Sequence, residues 1–319
     1  MSTEDRSGFA GSLVSVIINC HNGREYLHAA IKSVLTQTYG NWEIVLWDNA
    51  SDQDIGEIAR SFGDGRIRYF RGETMVPLGE ARNLVMERAE GELIAFLDSD
   101  DLWRPAKLER MVPLFDDPDV GLVFSDVESF NTRGGRKRLG ATKQFQRGHC
   151  FGSLLADYFL VMSSAMVRRA TLHRHAIRFR PEYDMVEEVD VFLRLAYVSK
   201  IDFSDEVLAE WRVHSSSTVW RRFHLLADEM EHLLGEMIRV WPEIEQRYAN
   251  ELNIRRIWIV RQRAIGLWMK GDGRGVRDCL GGFRGTLPLK VCSLYLLSWL
   301  DARRWLPIMY RLFGANISP

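Results

Sequence analysis

Apolar and polar residues alternate along the first two thirds of the chain in blocks that predict strands and helices in turn. Val14–Asn19 is a short β-rich apolar run. Glu25–Thr36 places Leu27, Ala30, Ile31, Val34 and Leu35 at helical spacing. Glu43–Trp47 predicts a second strand ending in the turn-rich DNASD, and Arg66–Phe70 a third. Glu80–Arg88 predicts a helix with Ala81, Leu84 and Val85 inward, and Leu93–Leu97 a fourth strand. Every position of that strand is apolar, as in strands buried on both faces. Val120–Ser125 and Ser163–Arg168 predict further strands. Val189, Phe192, Leu193 and Ala196 mark the apolar face of another helix. This βαβα order predicts a twisted, largely parallel sheet flanked by helices. Residues 131–148, rich in Gly, Arg and Lys, read as a loop, and beyond about Val219 helical patterns dominate.

The fourth strand breaks abruptly into chemistry. In LIAFLDSDDLWRP, Asp98, Asp100 and Asp101 crowd within four positions. Carboxylates so close repel one another, and such groups gather where a cation neutralises them. They stand at a strand's carboxyl end, where open α/β sheets bind ligands. The alternative is an Asp-rich turn that caps a helix starting near Pro105.

Composition narrows the class. At 319 residues, 46% hydrophobic and 27% charged, the chain is globular and holds one large or two modest domains. Cys20, Cys150, Cys279 and Cys292 are scattered without a CxxC pair, which argues against a zinc ribbon or a disulfide framework and fits a cytoplasmic setting. The N-terminus shows no signal pattern, and no run of about 18 apolar residues predicts a membrane span. The net charge of −1 conceals a division. Residues 251–319 hold 12 Lys/Arg against 4 Asp/Glu, whereas residues 1–250 hold 30 against 39. The basic segment points to an anionic contact.

Several segments taken in order resemble an inverting, nucleotide-sugar-dependent glycosyltransferase of family 2. They are VSVIINCHNGREYL, EIVLWDNASD, the ARN of 81–83, GELIAFLDSDDLWRPAKLE, EEVDVFLRLA and WRVHSSST. The match runs through most of 13–215. It implies a GT-A (Rossmann-like) α/β fold, a mixed, mostly parallel sheet flanked by helices. A helical region, 216–319, follows.

The resemblance gives these residues roles. Asp98 and Asp100 fall at its DxD-type positions, where they would hold Mg²⁺ or Mn²⁺ on the donor's diphosphate. Asp101 is the less certain member and could cap the following helix. Asp48 falls where the family reads the nucleotide, although the common second Asp is Asn49 here; an Asx-turn explains Asn49 and Asp52 equally well. Asn19 stands in place of Pro and His21 in place of Tyr at the first strand's end, where an imidazole can still stack on a base. Arg82 offers a planar fork to the nucleotide, against a surface ion pair with Glu80 or Glu87. Glu188 falls in register with the family's general base, with Asp190 as the fallback. Asp184 and Glu187 read as a capping box. Arg212 and His214 alternate, so both could face the diphosphate, with His214 alternatively a third metal ligand.

The expected partners are a nucleotide-sugar donor, UDP before others, and a saccharide or lipid-linked acceptor of bacterial polysaccharide or glycolipid assembly; nucleic acid is not expected. A sugar nucleotidyltransferase is a weaker alternative, because NCHNGREYL is not a Gly-rich triphosphate loop. A non-catalytic sugar-nucleotide-binding module is another. Finally, LPLKVCSLYLLSWL at 287–300, followed by Arg303, Arg304, Trp305 and Pro307, suggests either peripheral contact with an anionic membrane or a packed helix.

Overall fold

A computed structural model describes residues 11–131, 134–140, 145–214, 222–283 and 286–299. Its contacts group into two compact units. The first comprises Met1–Leu154, Tyr158–Glu182 and Glu187–Arg212, and the second Leu155–Asp157, Tyr183–Val186 and Val213–Pro319.

The first unit is the predicted α/β body. Strand β1 (Val14–Cys20) leads into helix α1 (Arg24–Leu35), β2 (Trp42–Asp48), α2 (Ile55–Ser61), β3 (Ile67–Arg71), α3 (Leu78–Met86) and β4 (Leu93–Phe96). These four strands are parallel: β1 lies between β2 and β4, and β3 flanks β2. Such strands need both faces covered, and β1, β2 and β4 are buried almost throughout. Helix α1 buries Leu27, Ala30, Ile31 and Val34 on one side of the sheet, while Leu35 is half-buried.

The chain then turns antiparallel. After β5 (Leu102–Trp103) come α4 (Lys107–Met111), β6 (Val120–Asn131), β7 (Arg136–Arg138), α5 (Phe151–Ala156), β8 (Ala165–Arg168), α6 (Arg169–Arg174), α7 (Glu187–Val198) and β9 (Lys200–Val213). Strand β8 joins β4 and β6 antiparallel, and β5 pairs antiparallel with β9. Among the described residues the sheet order is β3-β2-β1-β4-β8-β6-β9-β5, with β7 on the side of β6. The fold is the mixed, helix-flanked sheet expected.

Three local expectations change. The helix after the acidic loop starts at Lys107 rather than at Pro105, because Leu102 and Trp103 pair with Glu210 and Ala209 first. Residues 162–164 form a 3₁₀ turn, and the strand begins only at Ala165. The 131–148 segment is not all loop: Arg136–Arg138 pair with Phe130–Glu128.

The second unit is helical apart from short pieces: α8 (Leu226–Val240), α9 (Ile244–Arg247), α10 (Ala249–Met269), α11 (Gly273–Gly281) and α12 (Leu289–Leu297). Ala264, Trp268, Val276, Leu280, Val291 and Leu294 form its small core. No described helix is long and apolar enough to cross a membrane.

Candidate active site

The acidic turn and the residues around it lie in the first unit. Strand β4 ends at Phe96, and Asp98 to Asp101 form a tight turn in which the Asp101 N–H donates to the Asp98 carbonyl at 3.1 Å. The start of α1 lies against this turn. A Cβ on Gly23 would stand 2.9 Å from Cys20 Sγ and 3.1 Å from Ser99 Oγ, so a larger residue would push these side chains aside.

Carboxylates outnumber cations around the turn. Burial raises the Asp98 pKa, and Asp100 beside it adds to the rise. Arg82 opposes that shift: its Nη2 donates to Asp98 Oδ1 at 3.4 Å. The same guanidinium donates from Nη1 to Glu187 Oε1 at 2.5 Å and lies over the Phe179 ring. Arg82 is therefore neither solvent-facing nor paired with Glu80 or Glu87. It is buried on the inward face of α3 and bridges that helix to the first turn of α7. Asn83 supports the bridge by exchanging two hydrogen bonds with the Phe179 backbone, at 2.7 and 3.0 Å.

The capping-box reading of Asp184 and Glu187 is corrected by this pair. Helix α7 begins at Glu187 itself, whose carboxyl is buried against Arg82. Asp184 pairs with Arg222, and its N–H donates to Glu229 within the second unit. A buried charge needs its partner more than a helix end needs a cap.

Glu188 is the next residue of α7, half-buried. Its pKa is raised to about 8, mainly by burial and then by the Glu187 charge, with Arg82 opposing and Asp98 adding. A carboxyl poised near neutrality, close enough to feel Arg82 and Asp98, has the property of a general base or acid. Asp190, two residues on, is turned about 200° around a helix of 3.6 residues per turn. Its Oδ1 accepts from Arg194 Nε at 2.8 Å, and Arg180 stands 3.6 Å from Oδ2. It is fully buried in a structural ion-pair cluster.

Asp101 is not a cap for α4, whose N-cap is Ala106. It is buried, with one oxygen accepting from Ser163 Oγ at 2.6 Å and the other from the Arg212 N–H at 2.9 Å. Burial, then Asp100 and Asp98, raises its pKa well above the carboxylate range. The Arg212 side chain donates from Nε to the Asp100 carbonyl at 2.7 Å and lies over the rings of Tyr26 and Phe130. A guanidinium is thus fixed beside the acidic turn. His214 falls in the second unit.

The β1 and β2 ends form the other side. Asp48 is fully buried: Oδ1 accepts from the Ser51 N–H at 2.8 Å, and Oδ2 from Tyr69 at 2.8 Å and Arg71 at 2.9 Å. The Asx-type turn of DNASD thus belongs to Asp48. Asn49 instead holds Val76, donating to its carbonyl at 2.9 Å and accepting from its N–H at 3.2 Å. Asp52 donates its N–H to Asn22 Oδ1 at 2.8 Å. His21 is exposed; its Nδ1–H donates to the Asn49 carbonyl at 2.9 Å. Asn19 Oδ1 is buried and has no hydrogen-bond partner among the described residues.

Sequence reasoning missed Glu187 as the Arg82 partner, Ser163, and the Tyr69–Arg71 pair on Asp48. One signal was available: Arg82 follows inward-facing Ala81 on α3, and a charge that near a buried face needs a buried counter-charge.

A mixed sheet whose parallel half ends in an acidic turn, facing a helix that carries a poised carboxyl, defines a GT-A glycosyltransferase. The chain belongs to glycosyl transferase family 2; the family model matches residues 15–175. It is 35% identical over 230 residues to an Escherichia coli protein, "UDP-Glc:alpha-D-GlcNAc-diphosphoundecaprenol beta-1,3-glucosyltransferase WfgD", covering 71% of this chain and 87% of that one. Two solved structures share the fold at 18% identity. S. aureus TarS in complex with UDP-GlcNAc has a TM-score of 0.65 and covers 95% of this chain and 88% of its own. The mannosyltransferase PcManGT from Pyrobaculum calidifontis, in complex with GDP-Man and Mn²⁺, has a TM-score of 0.60 and covers 98% and 88%.

Proposed function

We propose that this chain transfers a sugar from a nucleoside-diphosphate sugar, with UDP as the nucleotide, to an acceptor hydroxyl in a single inverting displacement. The observation that carries the reading is the place of Glu188 in the first turn of α7, next to Glu187, whose carboxyl joins Arg82 and through it Asp98 of the acidic turn; burial there raises its pKa to about 8. In its ionised form Glu188 takes the acceptor proton as the oxygen attacks. Arg212, held rigid by Asp100 and two aromatic rings, faces charge developing on the departing diphosphate. Asp48, Asn19 and His21 flank the nucleotide at the β1 and β2 ends. The WfgD name specifies a UDP-glucose donor and a diphosphoundecaprenol-linked acceptor, which supports a UDP donor and a lipid-linked acceptor of bacterial glycan assembly for this chain.

The acidic turn suits a divalent cation. Among the described residues no three His, Cys, Asp or Glu gather into a ready metal site. Two carboxylates completed by donor phosphate oxygens is nevertheless a typical Mg²⁺ arrangement, and hard oxygen donors suit Mn²⁺ as well. The mutual repulsion of the neighbouring Asp98 and Asp100 carboxyls, which helps to raise the Asp98 pKa, fits such a cation. Asp98 and Asp100 would hold the ion, which when bound supplies Lewis-acid stabilisation of the leaving group.

A nucleotide panel tests the donor. UDP with Mn²⁺ should raise the melting temperature more than GDP, dTDP or CMP, since a ligand at 100 times its Kd stabilises by about 2.7 kcal/mol. If no nucleotide raises it and no UDP-sugar releases UDP in the presence of acceptor lipid, the transferase reading fails.

The same reading places the chain at an anionic bilayer, cytoplasmic and peripheral. Helix α12 buries Val291 and Leu294 in the second unit's core but leaves Leu289 at 89% and Leu296 at 73% exposed, and Trp299, just past its end, is 69% exposed. Arg277 stacks over Trp299. Exposed apolar side chains beside a cation suit lipid headgroup depth. Arg303, Arg304, Trp305 and Pro307 lie outside the described residues. The full chain should sediment with phosphatidylglycerol vesicles at low salt and less at high salt. A Leu296→Ser/Trp299→Ser variant should stay soluble; equal sedimentation of that variant removes the membrane assignment.

A further inference from the structure

We infer that Ser163 is a positioning residue of the acidic turn, setting the direction of Asp98 and locking Arg212 to the same frame. The inference rests on the transferase reading, in which Asp98 and Asp100 hold the cation.

Ser163 lies in the 3₁₀ turn before β8 and is 1% exposed. Its single hydroxyl proton goes to Asp101 Oδ2 at 2.6 Å, and its oxygen accepts the Asp98 N–H at 3.0 Å. One side chain therefore ties the main chain at one end of the turn to the carboxyl at the other. The opposite oxygen of Asp101 accepts the Arg212 N–H, and Arg212 Nε closes back onto the Asp100 carbonyl. Both oxygens of Asp101 thereby accept internal bonds.

The turn carrying Ser163 is itself anchored. Trp103 Nε1 donates to the Ser163 carbonyl at 2.8 Å, and the fully buried Lys107 Nζ donates to the Ser164 carbonyl at 2.8 Å. Trp103 and Lys107 follow the acidic turn directly in sequence, so the chain grips the same three residues from both sides. Removing the Ser163 hydroxyl would leave a half-buried N–H and a buried carboxyl oxygen each short of a partner. The peptide at Asp98 would rotate to recover one, carrying its carboxylate out of position. Tolerance at such sites is about 0.5 Å.

The test compares wild type, Ser163→Ala and Ser163→Thr, using Mn²⁺ titration with UDP followed by electron paramagnetic resonance and calorimetry, alongside melting temperature. Ser163→Ala should weaken Mn²⁺ binding about tenfold, the scale of one unsatisfied buried hydrogen bond. UDP affinity without metal should hold, and Ser163→Thr should recover most of the loss. Wild-type Mn²⁺ affinity in folded Ser163→Ala overturns the inference. So does an equal loss of UDP affinity with and without Mn²⁺, which marks general damage. If Ser163→Ala does not fold, Trp103→Phe, which deletes the N–H gripping the Ser163 carbonyl together with part of a buried ring, is judged by the same two criteria. Absence of Mn²⁺-dependent UDP binding in wild type overturns the assignment of a cation to Asp98 and Asp100 and this inference with it, while the transferase reading fails only if no nucleotide binds at all. Binding by wild type with no change in the variants overturns this inference alone.

Discussion

Glu188→Gln is expected to lower kcat by about 10² to 10⁴-fold, the usual scale for losing a general base, while leaving UDP binding unchanged. The amide keeps the side chain's size and matches the neutral carboxyl that prevails below about pH 8. Stopped-time assays of UDP release at saturating donor, paired with calorimetric UDP affinity, separate the two. The pH dependence carries the same signature. A base must be ionised, so kcat/KM of the wild type should climb as pH rises through about 8 and level off above it. Stability should move the other way. The folded-state pKa lies above the unfolded one, so the native state holds the extra proton between about 4.3 and 8 and loses stability as pH rises across that window. Glu188→Gln should flatten part of that slope, and Asp98, Asp101, Glu187 and Asp190, all raised, keep the rest. Asp190→Asn should instead lower the melting temperature, because breaking a buried ion pair costs about 3–5 kcal/mol. An active Glu188→Gln with a folded but dead Asp190→Asn would move the base two residues along the helix.

Asp100→Ala should abolish transfer, a loss of at least about 10²-fold on the scale of removing a group that stabilises transition-state charge. Its melting temperature should equal or exceed that of wild type. Asp100 raises the pKa of both Asp98 and Asp101, so deleting it relieves repulsion in the folded state. Mn²⁺-dependent UDP binding should disappear with the activity. Full turnover of the variant in excess EDTA would rule out the metal.

Much of this was legible from local pattern. Strands β1, β2, β3 and β4 and helices α1, α3 and α7 fall within a few residues of where periodicity places them. The reason is that a helix or a buried strand writes its burial into every third, fourth or second position. The acidic turn announced itself because three carboxylates follow an apolar strand without interruption. Errors came where a short-range device competed with a distant partner. Glu187 looked like a cap residue and is the counter-ion of Arg82, 105 residues away. Asp101 looked like a cap and is bound to Ser163, 62 residues on, and to the Arg212 backbone, 111 residues on.

The sequence by itself determined the order of strands and helices, the strand end that carries the acidic turn, and the family. Tertiary structure decided which partner each of these charges takes and how deeply each is buried. It set Arg82 between Glu187 and Asp98, tied Asp101 to Ser163, closed Asp48 onto Tyr69 and Arg71, and left Glu188 half-buried with a raised pKa. The physical reason is that a carboxyl's role depends on burial and on the charges around it. Those neighbours are brought together by strand pairing and helix packing across dozens of residues, over which local periodicity carries no information.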